Sequence, residues 1–268
     1  MILYPNAKIN IGLNVLNKRP DGFHNISSAF YPINLTDILE FIPSPNHHFE
    51  FSLTGIPVEG DNNDNLCVRV YQFFRKKYQI PELKIHLHKN IPVQAGLGGG
   101  SSDAAFLING INTYFNLGLD NQQLKTIALH FGSDCPFFID NQPALASGRG
   151  EILEPFDLNL RNYQIIIIKP DISISTAEAY RNIISGNKSL TKDLFENFPV
   201  SKTTWLKNDF ENFAFQKFPK LKAIKETLLK KGAYFAQMTG SGSAIYGLFD
   251  KNFVVDISDF SQEQVFSC

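Results

Sequence analysis

The chain has 268 residues, 43% of them hydrophobic and 19% charged, which is enough apolar material for one large domain or two small ones. A formal net charge of −1 and scattered lysines and arginines speak against a nucleic-acid partner, which selects clustered basic charge. Three distant cysteines, Cys67, Cys135 and Cys268, with no Cys-x-x-Cys pair, argue against a disulfide framework and a thiolate zinc site. No apolar run approaches bilayer length and no signal-peptide pattern opens the chain, so a reducing cytoplasmic setting without membrane contact is the expectation.

In chain order, residues 8–16 alternate loosely and predict a strand, and residues 37–42 and 48–53 predict two more. Asn65 to Tyr78 carries apolar residues at helical spacing, with Asn65 suited to the N-cap. Residues 83–88 alternate with period two and predict a strand. After a glycine-rich loop, helices are expected over residues 102–115 and 121–130. Residues 141–153, with Pro143, Gly148 and Gly150, predict two short strands or a hairpin. The four isoleucines of residues 163–169 predict a strand buried on both faces. Helices are expected from Thr176 to Ile184, from Trp205 to Phe215 and from Pro219 to Lys231, then strands over 234–238 and 244–249 around a Gly/Ser loop. The pattern breaks near Glu154-Pro155, which suggests a boundary between residues 150 and 160.

The most informative stretch is Pro92-Val93-Gln94-Ala95-Gly96-Leu97-Gly98-Gly99-Gly100-Ser101-Ser102, running into the apolar helix pattern of Ala104, Ala105, Leu107 and Ile108. Four glycines within residues 96–100 admit positive φ and close approach by a ligand. Ser101 or Ser102 would cap the helix. Strand, glycine loop and helix N-terminus together make an anion site, because unpaired N–H groups and the helix dipole both favour negative charge. A Walker loop is excluded by the absence of Gly-Lys-Ser/Thr, and a dinucleotide fingerprint by Ser101 at its last glycine position.

Pro92 to Ala105 resembles the second motif of the GHMP kinase superfamily, whose loop wraps the ATP phosphates. Ala7-Lys8-Ile9-Asn10-Ile11-Gly12-Leu13 and Met238-Thr239-Gly240-Ser241-Gly242-Ser243-Ala244 resemble its first and third motifs, in the same order. Within the superfamily, four strings are similar to the 4-diphosphocytidyl-2-C-methyl-D-erythritol kinase family: Pro5 to Leu13, Arg19-Pro20-Asp21-Gly22-Phe23-His24, Phe131-Gly132-Ser133-Asp134-Cys135-Pro136-Phe137-Phe138 and Gly148-Arg149-Gly150-Glu151. Val93-Gln94, Phe23 and Ser241 depart from the family's frequent residues without removing a charged group. The Phe23-His24 pair and the Asp134 string set it apart from homoserine and mevalonate kinases, the alternative.

The resemblance implies a two-domain α/β (α+β) fold with the active site in the interdomain cleft, residues 1–153 binding ATP and residues 154–268 forming the C-terminal domain. It implies ATP-dependent phosphorylation of the 2-hydroxyl of 4-diphosphocytidyl-2-C-methyl-D-erythritol, a step of non-mevalonate isoprenoid biosynthesis. Apart from the resemblance, a monomer or weak homodimer is the expectation. Asp134 is assigned as the base that receives the hydroxyl proton, and Lys8 is placed beside it to hold the carboxylate ionised and balance the phosphoryl charge. Taken alone, Asp134 is a turn residue ahead of a strand-like apolar run, and Lys8 an outward-facing residue of a half-buried strand. Asn65 and residues 92–102 are assigned to ATP, with Mg²⁺ arriving on the nucleotide and retaining several waters. Phe23 and Tyr180 match the positions that sandwich the cytosine, and His24 the one that bonds its edge. Asn10, Thr176 and Gly240-Ser241-Gly242 match other substrate contacts. By composition alone, Phe23 and Tyr180 would be core residues. His86-x-His88 shares a strand face but lacks accompanying ligands, so no protein metal site is assigned.

Overall fold

The computed structural model describes residues 1–183, 185–186, 188–196, 198–199 and 206–268. Its strands and helices, in chain order, are β1 (Ile2–Leu3), β2 (Asn6–Lys18), β3 (His24–Thr36), β4 (Ile38–Pro43), β5 (Glu50–Gly55), α1 (Leu66–Tyr78), β6 (Leu83–Lys89), α2 (Gly99–Tyr114), α3 (Asn121–Leu129), α4 (Cys135–Asp140), β7 (Ala144–Ser147), β8 (Ile152–Pro155), β9 (Tyr163–Lys169), α5 (Thr176–Arg181), α6 (Phe210–Lys217), α7 (Pro219–Lys230), β10 (Phe235–Met238), β11 (Ile245–Asp250) and β12 (Gln264–Ser267). Two compact units result: Met1–Ala7, Asn34–Val93 and Gly98–Gln142 make the first, and Lys8–Ile33, Gln94–Leu97 and Pro143–Cys268 the second. Among the described residues, no helix is long and apolar enough to cross a membrane.

In the first unit, the sheet has the order β1-β4-β6-β5, antiparallel except for β5 beside β6. The alternation of β6 buries Leu83, Ile85 and Leu87 and leaves Lys84 outside. These side chains, with Leu39 and Phe41 of β4, share the unit's apolar interior with Val70 and Phe74 of α1 and Leu107, Ile108 and Ile111 of α2. Helix α2 packs on α1, α3 and α4. The N-cap expectation holds for α1, where Asn65 Oδ1 accepts the Cys67 N–H at 2.9 Å. It fails for α2: the helix begins at Gly99 with Gly98 as N-cap in a left-handed conformation and no side-chain cap, rather than at Ser101 or Ser102. The run after Asp134 is also not a strand. Pro136 in the first turn fixes φ for a helix, and Cys135 to Ile139 are buried in the short α4.

The second unit holds two sheets, of order β2-β3-β7-β8 and β10-β11-β9-β12. Strand β9 lies between β11 and β12, so Ile165 to Ile168 are all buried, as a strand with four consecutive isoleucines requires. Helix α7 packs on β10 and β11. Strands β7 and β8 form the expected hairpin, turned at Gly148-Arg149-Gly150-Glu151. Strands β3 and β12 were not indicated by the sequence pattern. Helices α5 and α6 are shorter than expected, and Ile184 and Trp205, the anticipated end of one and start of the other, lie outside the described residues.

Candidate active site

Three glycine-containing segments, residues 7–13, 92–105 and 238–244, carry most of the candidate residues. In the first unit, the first-turn N–H groups of α2 have no intrahelical acceptors, because acceptors start four residues further back, and no side chain caps them. That end is positive and open to an anion. Gly100 is exposed, and an added Cβ there would sit 4.0 Å from Leu66 Cδ1. This contact sets Asn65, the N-cap of α1, close to the start of α2. Burial pushes the Cys135 thiol up to about 12, against the lowering influence of the nearby Ser101 side chain. Gly132 lies between the two: a Cβ there would sit 3.3 Å from Cys135 Sγ and 3.8 Å from Ser101 Oγ, which sets the α2 start beside the turn that holds Asp134. Asp134 itself is half-buried at the head of α4, with its backbone helical and no cap bond from its side chain. Ser102 is fully buried, and its Oγ has no hydrogen-bond partner.

In the second unit, Lys8 is not the outward-facing strand residue its surroundings suggested. It is 3% exposed, its Nζ donates to Asn10 Oδ1 at 2.6 Å, and it lies 4.6 Å from the centre of the Phe30 ring. Asn10 is equally buried and donates through Nδ2 to Ser28 Oγ, which donates in turn to the Gly12 carbonyl. Thr239 Oγ1 accepts the Asn10 N–H at 3.1 Å and donates to the Gly96 carbonyl at 3.0 Å. One buried hydroxyl therefore joins the Lys8 strand to the glycine loop. Gly96 and Gly240 meet backbone to backbone: a Cβ on Gly96 would stand 2.0 Å from the Thr239 carbonyl oxygen. Ala95 and Leu97 are fastened in the same way, their carbonyls accepting from Ala244 N and Lys8 N. Ser241 Oγ and Thr176 Oγ1 are 3.1 Å apart, and Asn208 Nδ2 donates to the Met238 and Gly240 carbonyls, which fixes the third loop.

Phe23, His24 and Tyr180 come together at a cavity of about 590 Å³ that Lys18 and Arg181 also line. Phe23 is 51% exposed and so is not a core residue. Its ring carries the Arg149 guanidinium 4.7 Å from its centre. His24 stacks on Tyr180 with centroids 5.4 Å apart and planes 17° from parallel, and Phe210 meets Tyr180 edge-on at 4.9 Å. Burial, with the charge of Lys18 beside it, holds the His24 imidazole below its ordinary value, so the ring is neutral at pH 7. A neutral imidazole offers one donor and one acceptor to the edge of a base. Aromatic faces, a neutral imidazole and two cations suit a base attached to phosphates.

Ser28, Asn208 and Gln237 belong to none of the motif strings, and Thr239 stands in the third only as a motif residue, without a role. Gln237, flanked by Ala236 and Met238 in a fully buried strand, was the one local sign: a polar side chain there needs partners, and it finds Gly12 N and the Leu206 carbonyl.

The family model described as GHMP kinases N terminal domain matches residues 65–149, and that described as GHMP kinases C terminal matches residues 189–259. The chain is 43% identical to the 4-diphosphocytidyl-2-C-methyl-D-erythritol kinase of Parabacteroides distasonis, over 100% of this chain and 96% of that one. It is 46% identical to the enzyme of the same name from Bacteroides thetaiotaomicron, over 93% and 92% of the two chains. A crystal structure of 4-(cytidine 5'-diphospho)-2C-methyl-D-erythritol kinase superposes with a TM-score of 0.79 at 30% identity, covering 92% of this chain and 90% of that one. The Methanococcus jannaschii mevalonate kinase shares the fold, with a TM-score of 0.71 at 16% identity over 100% of this chain and 97% of that one.

Proposed function

The chain belongs to the 4-diphosphocytidyl-2-C-methyl-D-erythritol kinase family of GHMP kinases, and on that premise we propose that it transfers the γ-phosphoryl group of ATP to the 2-hydroxyl of 4-diphosphocytidyl-2-C-methyl-D-erythritol. The full-length identity to enzymes of that name carries this reading. The acceptor oxygen bonds to the γ-phosphorus, the bond from that phosphorus to the β,γ-bridging oxygen breaks, ADP leaves, and the hydroxyl proton passes to Asp134. The product is the 2-phosphate, consistent with a step of non-mevalonate isoprenoid biosynthesis in the cytoplasm, performed by a monomer or weak homodimer.

Phosphoryl transfer needs positioning and charge neutralisation more than covalent chemistry from the protein. The open N-terminus of α2 supports ATP binding through the N–H groups of Gly99, Gly100 and Ser101, and the partnerless Ser102 hydroxyl suits a phosphate oxygen. Asn65 and the rest of residues 92–102 complete the proposed nucleotide site, and Mg²⁺ arrives as part of the co-substrate. The Lys8 ammonium, held by Asn10, would balance charge on the transferring group. Phe23 and Tyr180 would stack the cytosine, His24 would bond its edge, and Thr176 with Gly240-Ser241-Gly242 would contact the acceptor. Residues 1–153 and 154–268 are proposed as the ATP-binding and C-terminal halves; the two family matches fall one on each side of that division.

The test is ADP release from Mg²⁺-ATP with the cytidyl substrate, homoserine or mevalonate as acceptor. Turnover with the cytidyl substrate alone supports the reading. Turnover with either of the others, and none with the cytidyl substrate, would replace it with a different GHMP kinase.

A further inference from the structure

The first unit buries three charged side chains that the proposed chemistry does not use. Asp37, between β3 and β4, is 0% exposed, Lys89 at the end of β6 is 3% exposed, and Asp103 in α2 is 2% exposed. Lys89 Nζ donates to Asp103 Oδ2 at 2.7 Å and to Asp37 Oδ2 by a shorter bond. Asp37 Oδ1 accepts the backbone N–H groups of Asn90 at 2.6 Å and Ile91 at 2.8 Å. Asn90 and Ile91 lead directly into Pro92, and Asp103 directly follows Ser102. The cluster therefore grips the chain on both sides of the glycine loop. It also lies against the first turn of α2: a Cβ on Gly99 would stand 2.9 Å from Ile91 Cγ2 and 3.3 Å from Lys89 Nζ.

Buried ion clusters are expensive to desolvate and are often replaceable by apolar residues without loss of stability, so stability alone is a weak reason for this one. Its position supplies another. The anion-binding end of α2 has no side-chain cap, and the geometry of its free N–H groups has to be set from elsewhere. We propose that Asp37, Lys89 and Asp103 form a clamp that fixes the two ends of the glycine loop, positioning the first turn of α2 to receive the ATP phosphates.

This inference rests on the ATP-binding reading and adds three positioning residues to it. Burial, reinforced by Asp37, pushes the Asp103 carboxyl upward against the pull of Lys89. The Asp103 Oδ1 atom, buried without a partner, is the unused corner of the clamp.

Calorimetry with ATP and, separately, with the cytidyl substrate tests the clamp on wild type, Asp103→Ala, Asp103→Asn and Lys89→Met, alongside unfolding midpoints. Asp103→Ala should remain folded, because alanine favours a helix interior. Its Kd for ATP should rise about tenfold, the scale of a lost charge-assisted hydrogen bond, with the Kd for the cytidyl substrate within about twofold of wild type. Asp103→Asn, which keeps an acceptor for Lys89, should recover most of the ATP affinity. Lys89→Met should show the same ATP-selective loss and is the deciding variant if Asp103→Ala does not fold. Wild-type ATP affinity in a folded clamp variant overturns the inference. So does an equal loss of both ligands in step with the unfolding midpoint, or failure of both variants to fold. Failure of the wild-type protein to bind ATP overturns the kinase reading itself, and the clamp with it.

Discussion

Gly96→Ala should damage both folding and nucleotide binding, by an amount that follows from two separable causes. Gly96 has φ of +75°, a conformation that costs an L-residue about 1–2 kcal/mol. The new Cβ would also meet the Thr239 carbonyl oxygen at 2.0 Å and its carbon at 2.8 Å. These are backbone atoms, pinned by the bonds that Thr239 makes to Asn10 and Ala244, so no side chain can swing aside. Overpacking of this kind adds about 1–3 kcal/mol. Together the substitution should cost about 2–5 kcal/mol in urea unfolding. Gly118 provides the control. Its φ is +69°, but nothing lies within 4 Å of its absent Cβ, so Gly118→Ala carries only the conformational cost of about 1–2 kcal/mol. Urea midpoints of the two variants, with the ATP Kd of each, separate the contact from the strain. Equal destabilisation of both, or wild-type ATP affinity in Gly96→Ala, would refute the argument that Gly96 is required by the approach of Thr239.

Tyr180→Ala removes a stacking face from the cavity and should raise KM for the cytidyl substrate about 5- to 150-fold, equivalent to about 1–3 kcal/mol, with KM for ATP little changed; steady-state kinetics in both substrates decides it. For His24, the folded state disfavours the charged imidazole, so its contribution to stability is present above its ordinary value of 6.5 and is lost as pH falls through the lower folded value. Substrate affinity follows the folded state alone, so it should hold from neutral pH through the ordinary value of 6.5 and weaken only as pH falls to the lower folded value, and a pH series of KM in wild type and His24→Gln, in which the titration is absent, measures this. Ile167→Ala, at a fully buried position of β9, should cost about 2–5 kcal/mol by chemical unfolding, against an effect near zero if that strand were on the surface.

What could be read from the sequence was what neighbouring residues determine. Asn65 announces α1 because its cap bond reaches only to Cys67. The glycine loop shows itself because its conformations require the residue type, and β9 because four consecutive β-branched isoleucines favour a strand buried on both faces. Strand β3 was hidden by Ser27, Ser28 and Pro32, which break the alternation; the serines are tolerated because Ser28 bonds Asn10 and Gly12, and Ser27 bonds Leu190 N. Helix α4 read as a strand because a short apolar run has no period to measure, and its packing on α2 and α3 sets its type. Lys8 read as exposed for want of any local sign of Asn10 and Phe30 as its partners. Asp37, Lys89 and Asp103 gave no signal, since fourteen and 52 residues separate Lys89 from its two partners. The roles of Phe23, His24 and Tyr180 came from resemblance, because aromatic residues in a chain 13% aromatic carry no meaning until they meet at one cavity.

The proposed reaction is phosphoryl transfer to one hydroxyl with Asp134 as the proton acceptor. Phosphorus NMR of the protein incubated with Mg²⁺-ATP and 4-diphosphocytidyl-2-C-methyl-D-erythritol tests it directly, run beside Asp134→Ala. The prediction is a new phosphomonoester at the 2-position with stoichiometric ADP, formed about 10²- to 10⁴-fold more slowly by a folded Asp134→Ala protein. An unchanged diphosphate substrate in the presence of folded, ATP-binding protein would contradict the reaction, and undiminished turnover by Asp134→Ala would contradict the role given to Asp134.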